Sequence, residues 1–292
     1  EPIKPIVYYI DPATPEEWRP YFKQGVEDWQ AAFEAAGFKN AIIAKDPPSP
    51  EEDPDWSPED VRYSVIRYVA NMTRNAMGPS VSDPRSGEII ESDIVWYHNH
   101  LRSYRNRLLI ETGAANPAAR TLRIPEELIG ETIRQVIAHE VGHALGLPHN
   151  MGASSAFPVD SLRSPTFTER YGVSPSIMDY ARQNYVAQPG DGVTRFVRKI
   201  GRDDHYAIEW GYRVYPEAAT PEEEKPILDR FVLEHAGDPM YRFAGRVGLD
   251  PRTQTEDIGD DPVRASGYGI ATLKRVGPNL GGWTTTSGQG YD

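Results

Sequence analysis

An α/β protein is the fold class this sequence predicts: a twisted mixed β-sheet with an antiparallel edge strand, one long central helix, and an irregular, then helical, C-terminal part. Three observations carry that expectation. Short β-branched and aromatic runs alternate with helical patterns through the first hundred residues, an uninterrupted helical pattern spans 125–146, and helix signals return after 200 beyond a stretch without periodicity.

The elements follow in order. "IVYYI" (6–10) is a β-branched and aromatic run and reads as a strand. After it, Thr14 as N-cap, Pro15 at the first helical position and Glu17 as the partner in a capping box predict a helix. Phe22, Val26, Trp29 and Phe33 recur along it at helical spacing, and Gly37 stands where it stops. Pro20 interrupts this pattern, so the helix either starts late or kinks there. "AIIA" (41–44) reads as a second strand and the Pro- and acid-rich 45–60 as a loop. "VRYSVIRYV" (61–69) alternates as a strand does, and 78–97 reads as strand, turn and strand around "DPRSG". Strands separated by a helix and then a hairpin imply a mixed sheet with an antiparallel edge. A helix is expected in 102–116, and the clearest one runs from Pro125 to Gly146. Residues 151–200 are irregular but packed, and helices are expected in 203–215, 222–237 and 260–276.

Composition narrows the function classes. The 292 residues are 39% hydrophobic and 25% charged, which fits a globular chain with material for a sizeable core. There is no apolar run long enough to cross a membrane. A net charge of −12 without a basic cluster argues against nucleic acid as a partner. Cysteine is absent, and a chain of this size does not need disulfides, so the redox compartment stays open. The start "EPIKPIVYYIDP" has no initiator Met and no apolar leader, and the end "LGGWTTTSGQGYD" has no closing element. Both ends read as cuts in a longer polypeptide.

"HEVGHALGLPHN" (139–150) carries the chemistry. His139 and His143, four apart on a helix, leave from the same face one turn apart, as two imidazoles reaching one zinc ion must. Glu140, rotated by about 100°, stays out of the ligand set and can serve as a base. Gly146 ends the helix, Pro148 prevents its resumption, and the turned chain can bring His149 back as third ligand. Three nitrogens, a base and an open fourth position are the signature of a catalytic zinc site. Histidines on an ordinary helix are the competing explanation, but that explanation requires neither the Gly at the bend nor the third His.

Beyond it lies "SPSIMDY" (174–180), with Met178 29 residues after His149. The extended histidine motif followed by a Met-containing turn resembles the metzincin metalloproteases. With "EWGY" and "EDIGDD" further on, nearly the whole chain resembles the Met-zincin catalytic domain of large bacterial zinc-dependent metalloproteases. That resemblance implies one catalytic Zn2+ on His139, His143 and His149, Glu140 as general base, and Met178 as a hydrophobic floor beneath the histidines. It also implies Tyr180 as a candidate oxyanion stabiliser, as in astacin-like and serralysin-like members, with a packed tyrosine as the alternative. "GEIIESDIVWY" (87–97) resembles the edge strand that binds an extended protein or peptide substrate, and 181–192 would form the S1′ wall. The resemblance further implies an extracellular, periplasmic or cell-surface location and other domains in the parent chain. The expected subdivision is 1–146 as N-terminal subdomain with the active-site helix, 147–195 as the Met-turn segment and 196–292 as a helical extension.

The functional expectation is a zinc-dependent endopeptidase. Two other classes are compatible with the motif: a catalytically silent zinc-containing peptide- or glycan-binding module, and a zinc hydrolase of a non-peptide amide. Three features outside the motif carry alternative roles. His98 and His100, two apart near a strand end, are expected to face the same side, as surface residues, a structural metal pair or cleft lining. Asp203, Asp204 and His205 read as helix N-capping. "TEDIGDD" (255–261) lacks the spacing of a calcium loop and reads as the start of a helix before Pro262.

Overall fold

Alternation along the first strand, β1 (Ile6–Ile10), sends Tyr8 and Ile10 into the core and Tyr9 to the opposite face of the sheet. On that opposite face Tyr9 packs edge-on against Trp56 and Tyr63 from the Pro-rich loop and the turn after it. The computed structural model describes residues 1–245 and 248–288; the last four residues of the Gly/Thr/Ser-rich tail lie outside them. Two helices follow β1, α1 (Arg19–Glu27) and α2 (Gln30–Ala35), where a single one was expected. Of the two readings of Pro20 the late start holds. Trp18 occupies the N-cap position and Pro20 lies in the first turn, where its missing N–H removes no helical bond. Thr14 and Glu17 therefore lie upstream of the helix and form no capping box. The break at Asp28–Trp29 has a packing cause: the Trp29 indole is buried against the long central helix and donates to the Ala138 carbonyl at 2.9 Å.

β2 (Ile42–Lys45) pairs parallel with β1, and β3 (Ser64–Val69) pairs parallel with β1 on its other side. β3 starts three residues later than the alternation suggests, because 61–63 belong to a turn closed by Tyr63 N–H to Asp60 O at 2.9 Å. The next segment departs most from expectation. β4 (Ala76–Met77) forms the antiparallel edge, β5 (Val81–Ser82) and β6 (Ile89–Glu91) make a separate two-stranded hairpin, and β7 (Ile94–Tyr97) is an interior parallel strand. The sheet order is β2-β1-β3-β7-β4. The stretch 87–97 is thus not the sheet edge. Ile94 and Trp96 are fully buried between β3 and β4, and a strand paired on both sides offers no free backbone to a substrate.

α3 (His100–Arg107) runs into one π-helical turn at Leu108–Thr112, and α4 (Glu126–Ala144) crosses the sheet. One core lies between the sheet and α1, α2 and α4, with Phe22, Trp29, Ile66, Trp96 and Ile137 among its residues, and Ile177, Met178 and Ile208 close it from later in the chain. The irregular region contains α5 (Pro165–Tyr171). Its own core of Phe157, Leu162, Val173 and Val186 is completed by Ile258 and Ala265, so the C-terminal helical part shares an interior with it. α6 (Arg202–Tyr212), α7 (Pro221–His235) and α8 (Pro262–Val276) follow; Asp261 caps α8 through its side chain, accepting from Arg264 N–H at 2.9 Å. Among the described residues no helix is long and apolar enough to cross a membrane.

Candidate metal centre and cleft

α4 is buried through most of its length, and its C-terminal end sets the site. Gly146, at φ +92, closes it with paired bonds: Leu147 N–H to Gly142 O at 3.0 Å and Gly146 N–H to His143 O at 2.9 Å. Only a residue without Cβ takes this left-handed turn cheaply. The turn also delivers the Leu147 carbonyl to His143 Nδ1, at 2.9 Å. His139 Nδ1 meets the Ile177 carbonyl at 2.7 Å. A carbonyl can only accept, so both Nδ1 atoms carry the proton and both Nε2 atoms keep their lone pairs for the space between.

His149 enters that space. Its Nε2 lies 3.3 Å from His139 Nε2 and 3.0 Å from His143 Nε2. Two nitrogens bound at about 2.0–2.1 Å in tetrahedral geometry sit roughly 3.4 Å apart, so the three imidazoles fit one zinc ion. Without a cation, converging lone pairs at this range repel. Burial lowers the pKa of His139, His143 and His149, which holds all three in the neutral form a metal needs. Among the described residues these three alone form a histidine and acid group able to hold a metal.

Glu140 points into a cleft of about 650 Å3 beside the triad and accepts a hydrogen bond from the Gly78 N–H. Burial pushes its carboxyl up to about 7. Tyr180 is half-exposed over the same cleft, with its ring 4.3 Å from that of His149 and 5.6 Å from that of His139. Met178 is buried against α4 at Gly142, where a Cβ would come within 2.3 Å of its sulfur. The glycine at the fourth position of the HExxH motif, Gly142, thus makes room for the methionine.

Several residues here escaped the sequence reading. The edge next to Glu140 is β4 and Gly78, and a Cβ on Gly78 would strike the Glu140 carbonyl at 2.2 Å. "NAMGPS" gives no strand signal, since two paired residues show no period. His98 and His100 do not face the same side: the chain leaves the extended form after Tyr97, and the two-residue alternation ends with it. His98 Nδ1 lies 2.6 Å from the Tyr68 hydroxyl, whereas His100 opens α3 and lines the metal cleft. Arg198 is buried beside the triad, with Nη1 donating to Ile177 O at 3.2 Å, the carbonyl that also holds His139. Its backbone N–H is fixed by Gln135 of α4 at 2.9 Å.

Asp203 and Asp204 do more than cap α6. Asp204 accepts from Gly201 N–H at 2.7 Å as a cap does, and also from Ile177 N–H at 2.8 Å and the Ser176 hydroxyl at 2.7 Å. Asp203 accepts from the Asn150 amide at 2.8 Å. The pair therefore ties α6 to the Ser176–Ile177 segment and to the residue after His149. Burial raises Asp203 to about 6, and burial with Asp203 alongside raises Asp204 to about 7. A raised native carboxyl pKa gives stability that is complete in acid and is lost as pH rises through about 6 and 7. The melting temperature is expected to fall by on the order of 5 °C between pH 5 and pH 8. Asp204→Asn, which can still accept both backbone N–H groups, is expected to flatten that slope, while Asp204→Ala loses on the order of 3 kcal/mol by orphaning three donors. Thermal melts across this range check both, and an unchanged slope in the Asn variant rules the account out.

Comparison with known proteins bears on the same region. No curated protein and no solved structure matches this sequence. A family model described as Met-zincin matches residues 121–292, which takes in α4, the three histidines, Met178 and the C-terminal helices. With a match over more than half its length, and with a mixed five-stranded sheet and a helical C-terminal part around a histidine triad able to bind metal, this chain belongs to the Met-zincin family.

Proposed function

We propose that the chain is a zinc-dependent endopeptidase. The observation that carries this reading is the convergence of three neutral imidazole Nε2 atoms beside a buried carboxylate that belongs to no ion pair with them. Bound there, zinc supplies a Lewis acid that lowers the pKa of water toward about 7 and polarises a carbonyl. Glu140 takes the proton from the attacking water and returns it to the leaving amine; its raised pKa suits both transfers near neutral pH. Tyr180, whose ring lies 4.3 Å from that of His149, donates its hydroxyl to the developing oxyanion in this reading. Met178 is the packed support under the ligand-bearing end of α4.

The substrate runs along β4 in this reading. Among the described residues Ala76–Met77 pairs with β7 on one side only, and Met77 and Gly78 line the cleft, so an extended peptide can add there as a further strand. The expected setting is outside the cytoplasm, as one module of a longer chain. Elemental analysis together with a fluorescent-peptide library tests the proposal. Stoichiometric zinc and chelator-sensitive peptide cleavage are expected. Tight zinc with no cleavage makes the chain a silent binding module, and cleavage confined to non-peptide amides makes it a different hydrolase.

A further inference from the structure

A second cavity, of about 540 Å3, lies against a different face of α4, at Glu131, Arg134 and Ala138 rather than His139, Glu140 and His143. Its chemistry departs from the rest of an acidic protein. Arg134 is neutralised by Asp28, with 2.6 Å to each carboxylate oxygen, and Arg195 lies 3.2 Å from Glu131. Four more cations, Arg170, Arg198, Lys199 and Arg202, line the cavity with no carboxylate within 4.0 Å among the described residues. The α6 acid that lines the cavity, Glu209, is already paired with Arg213.

Burial makes this arrangement costly. Arg198 is 7% exposed and its Nε–H has no acceptor; Arg195 Nε–H is buried without a hydrogen bond as well, with Glu169 3.8 Å away as a second ion-pair partner. Burial and the neighbouring Arg195 lower the Lys199 pKa, as expected where a further positive charge is unwelcome. Arg170 and Arg202 bracket the Tyr171 ring at 5.1 and 5.8 Å, and Tyr206 stacks on Phe231 to form an aromatic wall. Arg198 is buried and Lys199 partly so, Arg170 and Arg202 are exposed, and with no carboxylate within 4.0 Å of any of the four among the described residues a bound anion complements them in a chain of net charge −12. The volume matches a small molecule.

We propose that this cavity is a binding site for a small oxyanion, a phosphate- or carboxylate-bearing molecule, distinct from the metal centre. The Arg202 guanidinium supplies paired N–H donors for the oxyanion, Lys199 a point charge, Arg198, which lines both cavities, further positive charge, and the aromatic wall a surface for the rest of the ligand. The assignment does not depend on peptidase activity.

The test is calorimetric titration of the zinc-loaded chain with inorganic phosphate and, separately, glucuronate, at ionic strength held constant with sodium chloride. Melting temperature is followed in parallel. Binding and a rise in melting temperature are expected, with at least a tenfold loss of affinity in Arg202→Gln and in Lys199→Gln. Arg74→Gln, which removes a cation from the metal cleft, is expected to leave the response intact. Each cavity variant is expected to melt at or above the temperature of the unaltered chain in phosphate-free buffer, since it relieves like-charge repulsion, and this separates lost binding from lost fold. A stronger response to phosphate or to glucuronate identifies the headgroup. No response to either anion overturns the proposal, as does a response that survives Arg202→Gln but is lost in Arg74→Gln.

Discussion

Glu140→Gln is expected to keep the fold and the bound zinc while lowering peptide turnover by ~10²–10⁴-fold, the usual contribution of a positioned general base. The substitution removes little else. Glutamine has the same shape, its carbonyl can still accept from Gly78 N–H, and Glu140 is not among the three converging ligands. Burial that raises the Glu140 pKa to about 7 makes the carboxylate a stronger base than one in water, and the amide has no basicity to replace it. The effect should fall on kcat with little change in KM, because Glu140 acts on the proton in flight rather than on the resting peptide. Steady-state kinetics beside elemental analysis checks this, and near-normal kcat in a zinc-replete Gln variant would exclude Glu140 as the base.

The parts of this site that were legible in the sequence are those fixed by local geometry. His139 and His143 share a face because the helix repeats every 3.6 residues, and Gly146 with Pro148 marks the stop whatever the surroundings. The caps of α8 and the C-terminal helices are local in the same way. What was not legible depends on distant partners. Which strand lies at the edge is decided by the pairing of β7 with β3, and two-residue β4 has no period from which to read its place. The break between α1 and α2 follows from the Trp29 indole reaching Ala138, 109 residues away. Asp203 and Asp204 look like caps because capping is the local half of their work; their bonds to Asn150 and to Ile177 cross 53 and 27 residues. Arg198 has no local signature, and its role appears only when Gln135 and Ile177 are brought to it.

His149→Ala is expected to cost more zinc affinity than the ~10–100-fold typical of losing a hydrogen-bond partner of a ligand. The reason lies in where the third nitrogen comes from. His139 and His143 are carried by one rigid helix and oriented by carbonyls, so two nitrogens remain in place without His149. Two imidazoles make an incomplete site, and among the described residues no further His, Cys, Asp or Glu joins His139 and His143 to replace the lost nitrogen. The fold is expected to survive, because Asn150 and not His149 pins this loop. Asn150 donates from its backbone to Met178 O at 3.0 Å and from its amide to Asp203 and to Arg242 O at 2.8 Å each, and it accepts from Ala244 N–H at 2.9 Å. Asn150→Ala therefore gives the complementary outcome: the ligand is retained, its position loosens, and affinity falls only within that ~10–100-fold range, with a larger loss of thermal stability. Competition against a chromogenic chelator orders the two variants. Equal zinc affinity in His149→Ala and the unaltered chain would place the third ligand elsewhere, and a greater loss from Asn150→Ala would mean that the loop, rather than the imidazole, sets the site.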